Sequence, residues 1–195
     1  MATIKVKRIL ESKAKTNVII KSSFLATLMW KTSIDLDLHV QASFKEENTS
    51  KPGLLTKIFG KSESHTKLED CHVFFGHKGN LRDYPWISLD KDDGIGDKVE
   101  AAGYNEENMR FGDLNKLKYV LVYANIYNKP NSNFSLYDSK IILHADAEEI
   151  TVPLTSSQPG SYAIVALIDN NGPVTVLNSI DQVLTVPPRL IDFIR

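Results

Sequence analysis

Two aspartates stand two residues apart inside a strand-like run, Asp35 and Asp37 of IDLDLHVQASF (residues 34–44), and they are the first groups whose type and spacing could do chemistry. Leu36, Leu38, Val40, Ala42 and Phe44 share one parity, while Asp35, Asp37, His39 and Gln41 share the other. Successive side chains of a strand point to opposite faces, so the first set is expected to be buried and the second wetted. Aspartate is disfavoured in strands and two on one face repel each other, so the pair reads either as solvated charge or as half of a cation site.

A second acidic group follows some fifty residues later. LDKDDGIGDKVE (residues 89–100) gathers Asp90, Asp92, Asp93, Asp97 and Glu100 around Gly94 and Gly96. The two glycines let the backbone curl and turn oxygens inward, and a hard divalent cation such as calcium takes six to eight oxygen ligands. Two carboxylates about 6 Å apart repel by about 3 kcal/mol at an effective dielectric of 20, so converging acids call for either dispersal in water or a shared ion. The loop is not an EF-hand. With Asp90 as first ligand, Ile95 takes the position of the invariant glycine and Ala101 that of the terminal glutamate.

The elements that must position these acids are strands. Short period-2 runs recur from IKVKRIL through FLATLMW, HVFFG, PWISL, KYVLVYANIY, SKIILHA, ITVPL and YAIVALI to PVTVLNS, without sustained helical periodicity. The expected fold is all-β, an antiparallel two-sheet β-sandwich with short helical turns and one long inserted loop, in one domain covering residues 1–195. KYVLVYANIY (residues 118–127) is apolar at both parities and is expected to be a central strand. The NNG at 170–172 predicts a hairpin. Three stretches break the rhythm: the insert 45–70, the acidic stretch 89–112, and a C-terminal extension, 181–195. The last carries VPPRLIDFIR, with Leu190, Ile191, Phe193 and Ile194 too apolar for a free end and expected to dock on the core or on a second subunit.

Several of these segments, taken in order, resemble the TerD family of tellurium-resistance and stress-response proteins: LMWKTSIDLDLHVQASF, VFFG, SLDKDDGIGDKVE, DLNKLKYVLVYANIYN, NFSLYDSKIILHA and YAIVALIDNNGPVTVLNSI. The resemblance covers about residues 24–180, most of the chain. It implies a β-sandwich in which the strand aspartates and the acidic loop jointly hold one or two calcium ions. Asp35 and Asp37 match the strand carboxylates, Asp90 the residue that opens the loop, and Gly94, Gly96 and Glu100 its glycine spacing and closing acid. Asp92, Asp93 and Asp97 have the same chemistry within it. Ile95 and Lys98 stand where the family pattern carries acids, which puts one of the two ion positions in doubt. The insert and the tail depart from the family pattern and suggest a relative with its own partner.

Other chemistries are weakly represented. The 23 basic and 24 acidic residues leave a net charge of -1, so no nucleic-acid partner is expected. The lone cysteine, Cys71, excludes an intrachain disulfide framework and is expected to pack as a small apolar residue, and the chain is expected to be cytoplasmic. His39 is expected at the surface, and the mixed aromatic and basic loop GHKGNLRDYPW (residues 76–86) is expected to pack its rings on the sandwich edge. No nucleophile elbow, P-loop or dinucleotide motif occurs. The functional expectation is a non-enzymatic, calcium-ordered protein-interaction module that meets a protein partner, or another copy of itself, through the insert or the tail. The alternatives are a calcium-dependent membrane-binding module and a metal-dependent phosphoesterase.

Overall fold

A computed structural model describes residues 6–10, 14–18, 24–45, 70–91, 103–127, 129, 132–145 and 148–194. Thirteen strands are present among them: β1 (Val6–Ile9), β2 (Lys15–Val18), β3 (Phe24–Trp30), β4 (Leu36–Phe44), β5 (Cys71–Val73), β6 (Gly79–Asn80), β7 (Ile87–Lys91), β8 (Asn105–Phe111), β9 (Leu117–Ile126), β10 (Ser139–His144), β11 (Glu148–Leu154), β12 (Tyr162–Asp169) and β13 (Thr175–Leu184). They form two sheets, one in the order β1-β11-β10-β3-β8-β7-β6 and the other β2-β13-β12-β9-β4-β5. Every pairing is antiparallel except β1 with β11. The architecture is the all-β sandwich expected, and among the described residues the helical content is confined to 3-10 turns at Leu114–Lys116, Phe134–Leu136 and Leu190–Asp192. No helix among the described residues is long and apolar enough to cross a membrane.

Period-2 patterning explains which faces meet. Ala26, Leu28 and Trp30 of β3, Met109 and Phe111 of β8, and Ile141 and Leu143 of β10 face Leu38, Val40, Val122, Ala124 and Leu177 of the second sheet in one buried cluster. Fully burying an aliphatic or aromatic side chain contributes about 1.5–3 kcal/mol each, and this shared cluster is what locks the sheets together. β9 is central, between β4 and β12, and both its parities are buried: Val120, Val122 and Ala124 inward, Leu121 and Tyr123 outward. The hairpin expected at 170–172 joins β12 to β13 through residues 170–174, with the Asn170 side chain donating to the carbonyls of Leu114 and Leu117 at 2.8 and 3.1 Å.

Three sequence readings need correction. The stretch 89–112 contains a full strand, β8. Its period-2 pattern is hidden because the core-facing parity carries Asn105 and Glu107 before Met109 and Phe111, and polar residues at core positions erase the apolar signal. Nor is the second face of β4 wetted: Asp37 is 3% and His39 6% exposed. β4 is an inner strand, and rings from β5 and β9 together with the C-terminal segment cover its outer side. β1, read as half-buried, is exposed along its whole length. The insert 45–70 lies outside the described residues except for its ends, Lys45 and Asp70.

Candidate metal centre at the end of the sandwich

The turn between β3 and β4 is held by backbone and indole hydrogen bonds. Fully buried Trp30 closes β3, and its indole N–H donates to the Ile34 carbonyl at 2.7 Å. The Tyr127 N–H then donates to the Asp35 carbonyl at 3.0 Å, which extends the β4–β9 ladder by one residue and sets Asp35 and Asp37 on the outer side of β4. Asp37 stands opposite Asn125 in that register. Asp35 Oδ1 and Asp37 Oδ2 are both buried atoms.

Glu107, which the sequence reading passed over, is fully buried on β8, and its Oε2 accepts the backbone N–H of Leu38 at 2.6 Å. In an antiparallel ladder alternate residues bond to alternate sides. Because Asp35 bonds toward β9, Leu38 turns its N–H to the other flank. β5 stops at Val73, opposite Val40, so a carboxylate from the facing sheet takes the place of a neighbouring strand. Bonds to an ionised acceptor are shorter and stronger than neutral ones, consistent with the 2.6 Å separation. Asn105, also fully buried, anchors the start of β8 by donating to the Thr32 carbonyl at 3.0 Å. Two buried carboxylates thus occur at this end of β4: Asp37, which precedes Leu38 in the chain, and Glu107, which accepts the Leu38 N–H. The signal that would have revealed Glu107 is the alternation Asn105, Glu107, Met109, Phe111 within the acidic stretch.

Asp90 goes elsewhere. The β7–β8 register slips between Leu89 and Lys91, so Asp90 sits at a bulge, a device that re-aims a side chain. Its Oδ2 accepts from Arg110 Nε at 2.6 Å, and the pair is partly exposed. Asp92, Asp93, Gly94, Gly96, Asp97 and Glu100 lie outside the described residues. Both strands flanking them are described, and β8 starts where Asn105 pairs with Trp30, at the end of the sandwich that carries the Asp35 turn. Among the described residues alone, no group of three or more His, Cys, Asp or Glu side chains is arranged to hold a metal ion.

His39 is not a surface histidine. Its ring stacks on Phe74 and Tyr123 with centroids 5.4 and 4.9 Å away, and its Nδ1 lies 2.9 Å from His72 Nε2. His39 Nε2 has no hydrogen-bond partner among the described residues, and the Tyr123 hydroxyl lies at the same 2.9 Å from His72 Nε2 as His39 Nδ1 does. Burial first, and the neighbouring His72 second, push His39 down from 6.5 to about 3, and burial also lowers His72. The unfolded state therefore takes up a proton on His39 below pH 6.5 that the folded state refuses until about pH 3. Stability from this group is complete above pH 6.5 and is lost as pH falls toward 3, at up to about 1.4 kcal/mol per pH unit. In urea melts at pH 7, 5.5 and 4.5, a His39→Gln variant is expected to show a shallower acid loss than the unsubstituted chain; parallel curves would refute the assignment.

The remaining sequence candidates are structural. Cys71 is buried, and that burial raises its thiol to about 12, far from a reactive thiolate. In the 76–86 loop, Trp86 packs on Phe44 at 5.9 Å and lies under the Lys116 ammonium at 5.4 Å, as expected of an edge-packed aromatic.

No family model, no curated protein and no solved structure matches this chain.

Proposed function

We propose that the chain is a non-enzymatic calcium-binding β-sandwich of the tellurium-resistance and stress-response type, with its ion site at the end where β3 passes into β4. The observation that carries this reading is the burial of two carboxylates at this end of the sandwich, Asp37 before Leu38 in the chain and Glu107 on the Leu38 N–H, with Asp35 on the preceding turn. Asp35 and Asp37 would supply the strand ligands, and Glu107, which forms no ion-holding group with them on its own, would add its charge nearby. Asp92, Asp93, Asp97 and Glu100, with carbonyls around Gly94 and Gly96, would complete the six to eight oxygens that calcium takes. Asp90 enters this set only by leaving Arg110, so it contributes least. The bound ion would neutralise the strand carboxylates and order the acidic loop into a surface for a protein partner.

A ligand that binds only the folded state stabilises it by about 2.7 kcal/mol at a hundredfold excess over its dissociation constant. Calcium is therefore expected to raise the melting temperature of the chelator-treated protein by several degrees, and magnesium by much less, because it demands tighter octahedral geometry. A melting temperature unmoved by millimolar calcium would end the reading.

One observation favours calcium-dependent membrane binding as a second reading. Phe75 and Tyr127, 40% and 39% exposed, touch edge to face at 5.9 Å, and Tyr127 adjoins Asp35 through its backbone bond. Sedimentation with anionic vesicles, with and without calcium, separates it from the protein-partner reading.

A further inference from the structure

The covered outer face of β4 brings together three donor atoms softer than those of the acidic loop. His39 stands opposite Tyr123 of β9 in the strand register, and β5 flanks β4 on its other side, pairing His72 with Gln41. His39 Nδ1 and the Tyr123 hydroxyl each lie 2.9 Å from His72 Nε2. His39 and Tyr123 are 6% and 1% exposed, while half-buried His72 leaves the cluster a route to solvent. Phe74 stacks on both imidazoles, with centroids 5.4 and 4.5 Å away. The Gln41 amide N–H donates to the Tyr123 oxygen at 3.3 Å, and the same side chain holds the C-terminal segment over this face at Pro188 and Leu190. These contacts fix the three rings before anything binds.

Hydrogen bonding leaves this arrangement one bond short. A ring nitrogen carries either one N–H or one in-plane lone pair, so His72 Nε2 makes one well-aligned bond, yet two neighbours stand at bonding distance from it. A cation between them engages all three lone pairs at once. The spacing also selects the ion. Ligands about 2.0–2.1 Å from a metal and at right angles to each other are about 2.9 Å apart, whereas tetrahedral ones are about 3.4 Å apart. The two 2.9 Å separations around His72 Nε2 match the right angle. Nitrogen and oxygen ligands in a tetragonal arrangement suit copper(II), which also heads the affinity order of the divalent first-row ions.

We propose that His39, His72 and Tyr123 form a copper(II) site on the outer face of the second sheet, with solvent taking the remaining coordination positions. The described residues hold no triad built from His, Cys, Asp or Glu alone, and the third ligand here is a phenol. As its oxygen binds the ion, Tyr123 gives up the phenolic proton to solvent. The ion would bridge β9, β4 and β5. This inference stands apart from the calcium reading, because imidazole suits copper whereas calcium takes oxygen ligands.

Titration of copper(II) chloride into the full chain, with glycine as a competing chelator to suppress loose surface binding, tests this. One tightly bound ion per chain is expected, with a visible phenolate-to-copper charge-transfer band and nitrogen splitting in the electron paramagnetic resonance spectrum. His72→Gln should weaken binding at least about a hundredfold, and Tyr123→Phe, which keeps the ring and drops the oxygen, should abolish the band and weaken binding about tenfold. His144→Gln, on β10 of the other sheet, should bind copper as the unsubstituted chain does, and excess calcium should leave the copper in place. Near-UV circular dichroism before copper is added checks that each variant is folded, and Tyr123→Phe carries the test if His72→Gln is not. Absence of tight binding overturns the proposal whatever the chain does with calcium. So does a bound ion without the visible band, a band that survives in Tyr123→Phe, or full affinity in folded His72→Gln.

Discussion

Replacing Trp30 by alanine is expected to cost about 3–5 kcal/mol of stability, the range for removing a large aromatic from a packed core. The Trp30 ring is wholly buried in the inter-sheet cluster, and its indole N–H donates to the Ile34 carbonyl at 2.7 Å. The alanine variant therefore loses packing in the core and the hydrogen bond that shapes the turn. Trp30→Phe keeps most of the apolar body and removes the N–H, so it should cost less, with the Ile34 carbonyl left to find water. Urea denaturation at pH 7 measures both. A loss below about 1 kcal/mol in the alanine variant would mean that the site can collapse around the void, and that the turn bearing Asp35 is held by the β4–β9 ladder instead.

Glu107 provides the second large effect, and its alanine and glutamine variants should diverge. Glu107→Ala leaves the Leu38 N–H buried without its acceptor and opens a void beside it, for an expected loss of about 1–3 kcal/mol from the orphaned donor alone. Glu107→Gln keeps an oxygen that can accept from Leu38 and discards a buried charge, so in chelator it should be at least as stable as the unsubstituted chain. In calcium the order should reverse, because the amide has lost the charge a hard cation prefers, and its calcium affinity is expected to fall at least about tenfold. A purely structural Glu107 predicts instead that the glutamine variant binds calcium as before. The comparison thus distinguishes a carboxylate kept to close a strand flank from one kept to hold an ion.

Much of the fold was legible because strands that bury one face must alternate. β3, β4, β7 and β10 fall on runs whose apolar parity is the core-facing one, the double-sided apolar pattern of KYVLVYANIY marks the central position of β9, and β13 departs from the rule by turning Thr175, Leu177 and Ser179 inward in place of Val174 and Val176. Period reveals which residues share a face, but not what lies over that face. That is why Asp37 and His39 read as wetted: the rings of Phe74 and Tyr123 and the C-terminal segment come from distant parts of the chain, and nothing in IDLDLHV announces them.

The candidate site shows the same limit in sharper form. Asp35 and Asp37 could be singled out because a charged pair on a strand is locally anomalous. Glu107 was passed over because the alternation Asn105, Glu107, Met109, Phe111 shows only which residues share a face, and that face is defined as the core side only once β8 pairs with β3 and β7. Asp90 illustrates a related limit. Its place in an acidic run says nothing of the bulge that turns it toward Arg110.

The most direct test of the central claim is a calorimetric titration of calcium into the metal-free full chain, run beside the Asp35→Asn, Asp37→Asn variant. The account predicts saturable binding of one or two ions by the unsubstituted protein and an affinity at least about tenfold weaker, or undetectable, in the variant. Absence of binding to the unsubstituted protein, or equal binding by both, would contradict it.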